Sequence, residues 1–204
     1  MAVIVVSYLL GSIPTGYLAG RLRGIDIRAV GSGNIGATNV FRALGKTAGI
    51  VVLAMDAFKG FASCRFVPML AVSAPSENLR IAAGLAAIVG HNYTCWLRFK
   101  GGKGIATSAG VLLGWLPWSL AIVLSLWLIV FAISRYVSLA SIVAALALPF
   151  AVWLTHGSSR MIGIGALVGG LAVYKHRGNI QRLLNGTEHR FGSEHSSAST
   201  GVGP

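Results

Sequence analysis

Long apolar runs separated by three short polar islands dominate the chain. The runs cover about residues 2–20, 48–72, 79–97, 105–114, 118–134, 139–155 and 161–174. The islands cover 31–42, 98–104 and 175–188. A membrane-crossing helix needs roughly 20 apolar residues, fewer where neighbours shelter it. The pattern therefore predicts an all-α integral membrane protein with seven transmembrane helices. Segment 105–114 is one short half-span, only ~15 Å long at 1.5 Å per residue, and it needs supporting neighbours. The aromatic turn Gly114-Trp115-Leu116-Pro117-Trp118 separates it from the next run. Pro14 predicts a kink in the first span, and Gly16 with Gly20 allows close helix packing. A further short helix is expected from Ala37 to Leu44, ended by Gly45-Lys46. Residues 1–190 read as a single transmembrane domain. Residues 191–204, rich in Ser, Gly and Ala, are expected to be a disordered tail. No repeat recurs at a fixed period.

Composition sharpens this. The chain is 54% hydrophobic and 11% charged, against about 25% charged in soluble domains. Its net charge of +12 comes from 17 Lys and Arg against 5 Asp and Glu. In a membrane protein that excess points to cytoplasmic loops and anionic headgroups or substrates. No basic helix with interleaved aromatics argues for nucleic acid. An extracytoplasmic N-terminus and a cytoplasmic C-terminus bring all three islands to one side. Arg65, Arg80 and Arg160 then lie near the other surface, Lys59 lies in the membrane, and every other Lys and Arg lies with the islands. The positive-inside rule makes the island side cytoplasmic. Cys64 and Cys95 lie in apolar segments without metal spacing and read as small buried hydrophobes. The uncharged start Met1-Ala2-Val3-Ile4 is unlike a cleaved signal peptide.

The first island carries the most chemistry. Gly31, Gly33 and Gly36 leave the backbone open to a ligand. Ser32, Asn34, Thr38 and Asn39 supply neutral donors, and Arg42 supplies a fixed charge. A helix from Ala37 would aim free N–H groups at the loop, as an anion cradle does. Gly31-x-Gly33-x-x-Gly36 matches the dinucleotide fingerprint, but no strand precedes it. In the second island Gly101, Gly102 and Gly104 surround Lys103 and open a helix, a good phosphate site. It is not a Walker A loop, because Gly104 stands where that motif needs Ser or Thr. The third island adds His176 and Arg177. Together Arg42, Lys103, His176 and Arg177 surround two phosphate nests, which suits two phosphate-bearing ligands or one large one. The plainer readings are flexible polar loops and cationic headgroup anchors. Asp56 and Lys59, an i,i+3 pair inside a span, read equally as a functional site or a structural ion pair. His91, in the last turns of the third span, reads as a satisfied bundle residue.

Three motifs in this order resemble the acyl-phosphate-dependent glycerol-3-phosphate acyltransferase family of bacterial membranes, the PlsY type. They are Gly-Ser-Gly-Asn-Ile-Gly-Ala-Thr-Asn-Val-Phe-Arg at 31–42, Gly-His-Asn-Tyr at 90–93 with Lys-Gly-Gly-Lys-Gly-Ile-Ala-Thr at 100–107, and Lys-His-Arg-Gly-Asn-Ile-Gln-Arg-Leu at 175–183. The resemblance covers about residues 9–188. Gly178 stands where a larger polar residue is common in the family. The resemblance implies a seven-helix catalytic domain in the bacterial inner membrane with its site facing the cytoplasm. It implies acyl transfer from acyl phosphate to the sn-1 hydroxyl of glycerol 3-phosphate, giving lysophosphatidic acid and phosphate. This is the first acylation step of phospholipid biosynthesis.

By the same resemblance Ser32, Arg42, Lys103, Ser141 and His176 are the catalytic candidates. Gly31, Gly33, Asn34, Gly36, Thr38, Asn39, Gly101, Gly102, Gly104, Ser138, Arg177 and Asn179 are the substrate-binding ones. Ser141, ahead of Ser138, is the expected hydroxyl donor near the reacting carbonyl. His176 and Asn179 are the expected glycerol 3-phosphate ligands. No cofactor or metal is expected. The expected partners are acyl phosphate, glycerol 3-phosphate, the lipid bilayer and an enzyme that supplies acyl phosphate. An acyl phosphate is a mixed anhydride with a good leaving group, so the site needs positioning and charge neutralisation more than an activated nucleophile. A His-x4-Asp dyad is absent, since Trp96, Met161 and Gln181 follow His91, His156 and His176 at that spacing. The rival class, an organic-phosphate transporter, would also use broken helices and buried charge. It would need a polar cluster on the opposite side and an inverted repeat, neither of which the sequence offers. A scaffold subunit would not need so much glycine beside cations.

Overall fold

A computed structural model describes residues 1–192, so 193–204 of the expected tail lie outside the described residues. The described chain is helical: α1 Ala2–Ser12, α2 Thr15–Leu22, α3 Ala37–Leu44, α4 Lys46–Arg65, α5 Glu77–Asn92, α6 Ile105–Trp115, α7 Pro117–Ser134, α8 Val137–His156, α9 Ser159–Lys175 and α10 Arg177–Leu184. Four stretches are long and apolar enough to cross a membrane: Ala2–Leu22, Lys46–Arg65, Pro117–Ser134 and Val137–His156. The remaining expected spans are shorter helices of 16 residues in α5, 11 in α6 and 17 in α9. Large apolar side chains cover the outside of the bundle, as Ile122, Leu128, Ile129 and Ile133 do on α7. That surface suits lipid rather than water.

The first span is broken rather than merely kinked. Pro14 lacks an N–H and stops α1, and Thr15 starts α2. The carbonyl of Ile13 at the break accepts from the Thr15 N–H at 3.0 Å and from Lys59 Nζ at 2.8 Å. Thr15 Oγ1 donates to Asp56 Oδ1 at 2.5 Å. The Asp56–Lys59 pair, closed at 2.8 Å, therefore bolts the broken span to α4.

Close helix approaches hold the first six helices together. A Cβ on Gly60 of α4 would overlap the Thr107 carbonyl of α6, and one on Gly110 would overlap the Ala57 carbonyl. Tyr8 and Ser12 of α1 donate to the carbonyls of Tyr93 and Gly90 at 2.8 and 3.2 Å. A second unit, α7–α8–α9, joins α5 and α6 through a core that includes Ile88, Leu112, Leu148, Val152 and Val168. Gly45, at φ +88°, both ends α3 and starts α4. That conformation suits glycine and folds α3 back across the end of the bundle. Beneath the first island, Ile27, Ile35, Val40, Val52 and Leu97 form a separate small core. This core makes the glycine loop a fixed surface.

Two further sequence expectations change. The third island is not simply a loop: α10 forms within it. Phe191, expected to begin the free tail, packs against Phe41 and Phe131 with ring centroids 5.3 and 5.4 Å apart.

Candidate active site

The three islands meet at one end of the bundle around a cavity of about 150 Å3. Its walls come from the glycine loop and α3, the start of α6, the first turn of α8, and the α9–α10 junction. Lys103, which precedes α6, reaches it with Arg42, His176 and Arg182. Glu188 is the carboxylate beside the cations Lys103, Arg42 and Arg182, and Asp56 with His91 lies at the α4–α5 wall. An apolar cleft of about 80 Å3 adjoins the cavity between α6, α7, α8 and α9. Ile105, Trp127 and Ser141 line both spaces.

The glycine loop is held by its own amides. Asn34 Oδ1 accepts from Gly36 N–H at 2.8 Å. Asn39 Oδ1 accepts from Ser32 N–H at 2.9 Å, and Asn39 Nδ2 donates to the Ile27 and Val30 carbonyls, each at 3.0 Å. Asn39 borders the cavity but works as a brace. Gly31 does not line the cavity; it sits at φ +59°, where a Cβ would overlap Asn39 Oδ1. Gly102 also lies outside it, resting on the His91 ring with its N–H donating to the His91 carbonyl at 3.0 Å. Gly33, Gly101 and Arg177 line a shallower polar cleft outside the cavity, with Lys175 and Gln181. Arg177 lies over the Tyr174 ring at 4.6 Å. Ser32, Asn34, Gly36, Thr38, Gly104, Ser138, Ser141 and Asn179 all line the cavity.

Glu188 organises the opposite wall. It accepts from Ser138 at 2.8 Å, from Asn179 at 2.7 Å and from Arg182 Nε at 2.7 Å. Its side chain is 6% exposed. Burial pushes its carboxyl up, but these three donors outweigh burial and hold it below the usual carboxylate range. Ser138 is thus committed to Glu188. Ser141 Oγ donates to the Val137 carbonyl at 2.8 Å and accepts from Trp127 Nε1 at 3.1 Å. To donate to a ligand it must release Val137.

The ionisable groups have defined states. Burial drives the Lys103 ammonium down to about 8; Glu188 resists, and Arg182, Arg42 and Lys175 add to the fall. Lys103 is therefore mostly charged at neutral pH but easily discharged. Burial and then Lys103 push the His176 ring down to about 4, so it is neutral. Its Nδ1 lies 2.7 Å from the Ala172 carbonyl. That partner requires the proton on Nδ1 and leaves Nε2 as an acceptor. His91 departs from its sequence reading: it lies at the cavity wall, Nδ1 3.6 Å from Asp56 Oδ1 and without a closer polar partner.

The sequence matches the profile of the glycerol-3-phosphate acyltransferase family over residues 1–186. It is 47% identical over 186 residues to a glycerol-3-phosphate acyltransferase of Geobacter sulfurreducens, covering 91% of this chain and 94% of that protein. It is 48% identical over 193 residues to that of Geotalea daltonii, covering 94% and 97%. The fold superposes on the crystal structure of PlsY (YgiH), an integral membrane glycerol 3-phosphate acyltransferase, in its glycerol 3-phosphate form. The TM-score is 0.86, with 41% identity and 94% of each chain covered. The lysophosphatidic acid form of that protein gives a TM-score of 0.83 at 40% identity. A glycine loop, a Gly-Gly-Lys-Gly turn and a His-Arg helix start thus converge in a membrane bundle whose sequence matches one family along nearly its whole length, and the chain belongs to the integral membrane glycerol-3-phosphate acyltransferases.

Proposed function

We propose that the protein transfers a fatty acyl group from acyl phosphate to the sn-1 hydroxyl of glycerol 3-phosphate. The products are lysophosphatidic acid and phosphate. The observation that carries this reading is the continuity of a cationic cavity with an apolar cleft at Ile105, Trp127 and Ser141. A donor with phosphate at one end and an alkyl chain at the other fits that shape, with its carbonyl at the junction. On this reading seven segments cross the inner membrane, the cavity faces the cytoplasm, and an acyl-phosphate-producing enzyme supplies the donor.

The chemistry follows from the charges. The glycerol hydroxyl oxygen attacks the acyl carbon, the bond from that carbon to the phosphate oxygen breaks, and the hydroxyl proton ends on the departing phosphate. Arg42, at the exposed rim, and the half-buried Lys103 neutralise phosphate charge, and such contacts count for more where protein replaces water. The Ser32 hydroxyl and the first amides of α3 bind phosphate oxygens. Ser141 turns from Val137 to the carbonyl oxygen. Asn179 and His176 Nε2 orient the attacking hydroxyl. A ring with its pKa near 4 holds a proton poorly, so His176 positions and the leaving phosphate takes the proton. His176→Gln is accordingly expected to lower kcat and keep the shape of the pH–rate profile. Loss of an acid limb near pH 4 in that variant would assign His176 as the base.

The reaction is tested with purified protein and labelled glycerol 3-phosphate, offering acyl phosphate or acyl-coenzyme A as donor. Lysophosphatidic acid from acyl phosphate alone is the expected result. Product from the thioester alone would overturn the donor assignment. Uptake of glycerol 3-phosphate into proteoliposomes with no acylation would overturn the enzyme reading.

A further inference from the structure

The cavity sits between two units whose contact at this end is slight. Ser32, Arg42 and Lys103 belong to the first six helices and their loops, Ser138, Ser141 and His176 to the second unit. Direct packing between α3 and α7 is sparse. The segment after α10 bridges them. Glu188 ties it to Ser138 and Asn179, and Phe191 N–H donates to the Arg135 carbonyl at 2.8 Å. The Phe191 ring then fills the gap. It meets Phe41 of α3 at 5.3 Å and Phe131 of α7 at 5.4 Å. Phe131 stacks on Trp127 at 5.1 Å, and Trp127 reaches the junction of cavity and cleft. Four rings therefore run in an unbroken chain from α3 to the junction of cavity and cleft, which Trp127 lines and the other three back.

An acyl phosphate reacts with water as readily as with an alcohol held no better. The α3–α7 side is one path by which water reaches the donor carbonyl. Enclosure of a reactive group suppresses such side reactions. Resting on the acyl-phosphate reading above, we propose that Phe191 is a positioning residue for acceptor selectivity. Its ring keeps α3 and α7 sealed together, so that the donor is transferred to glycerol 3-phosphate rather than hydrolysed. In the hydrolysis it prevents, water oxygen attacks the acyl carbon, the bond to phosphate breaks, and free fatty acid and phosphate leave.

The test measures lysophosphatidic acid, free fatty acid and phosphate together, with and without glycerol 3-phosphate, in wild type, Phe191→Ala, Phe191→Leu and Phe131→Ala. A several-fold rise in the ratio of fatty acid to lysophosphatidic acid is expected for Phe191→Ala and Phe131→Ala, with most of the wild-type ratio kept in Phe191→Leu. A merely structural loss lowers all products together and leaves the ratio where it was. That outcome, or full activity at the wild-type ratio, overturns the proposal while leaving the acyltransferase reading intact. If wild type makes no lysophosphatidic acid from acyl phosphate, both fall, because there is then no such reaction to protect.

Discussion

Replacing Lys103 with alanine is expected to lower kcat/KM by about 10²–10³-fold, the cost of removing one transition-state charge contact from an enclosed site. Lys103 is placed by the two glycine contacts that hold its loop on the end of α5, Gly101 N–H to the Asn92 carbonyl at 3.3 Å and Gly102 N–H to the His91 carbonyl at 3.0 Å. The alanine variant keeps both, so the loss is of charge rather than of loop shape. The same residue predicts a pH limb. Lys103 titrates at about 8 in the free protein. It is charged below that pH and neutral above it, so kcat/KM, which reports the free enzyme, falls as pH rises through about 8. Lys103→Arg keeps its charge at every accessible pH and is expected to abolish that limb. A retained limb in the arginine variant would assign it to another group. Wild-type kcat/KM in the alanine variant would remove Lys103 from the site.

The parts of this site that depend on local spacing were legible in the sequence. Glycines at 31, 33 and 36 before an eight-residue helix, and Gly45 ending that helix, follow from backbone rules that act within a few residues. The Gly-Gly-Lys-Gly turn opening α6 is of the same kind. What escaped depends on partners far apart in the chain or on weak periodicity. α10 shows Ile180, Leu183 and Leu184 at helical spacing, a signal masked by three cations in the same island. Glu188 gave no local pattern, and its importance arises from Ser138, fifty residues away. Gly31, Gly102 and Asn39 carry motif positions but serve the loop rather than the cavity, a distinction that needs coordinates, because a residue that shapes a cradle and one that lines it share the same spacing. His91 illustrates the converse, since an apolar run does not tell which side of a helix borders a cavity.

Lys59→Met is expected to cost about 3–5 kcal/mol of stability, the usual loss when one partner of a buried ion pair is removed. The two side chains are 4% and 2% exposed. With Lys59 gone, Asp56 keeps Thr15 but has no full positive charge beside it, and the Ile13 carbonyl at the break between α1 and α2 loses one of its two donors, keeping the Thr15 N–H at 3.0 Å. Methionine matches the lysine stem, so packing changes little. Pairing it with Asp56→Asn removes the orphaned charge but does not restore the lost lysine contact to the Ile13 carbonyl. The double variant should therefore recover most, though not all, of the lost stability. The midpoint of thermal unfolding in detergent measures this across wild type, both single variants and the double. Additive losses in the double variant would mean that the two charges act independently and that the pair does not bolt the broken helix. Recovery of folding without recovery of acyltransfer would give Asp56 a second task, at the cavity wall where it faces His91. The sequence left the pair evenly balanced between structure and function because both demand the same i,i+3 spacing. The broken first span decides for structure, since Lys59 ties α4 to the Ile13 carbonyl at the break, beside the Thr15 N–H that also donates to it, while its partner Asp56 holds the Thr15 hydroxyl.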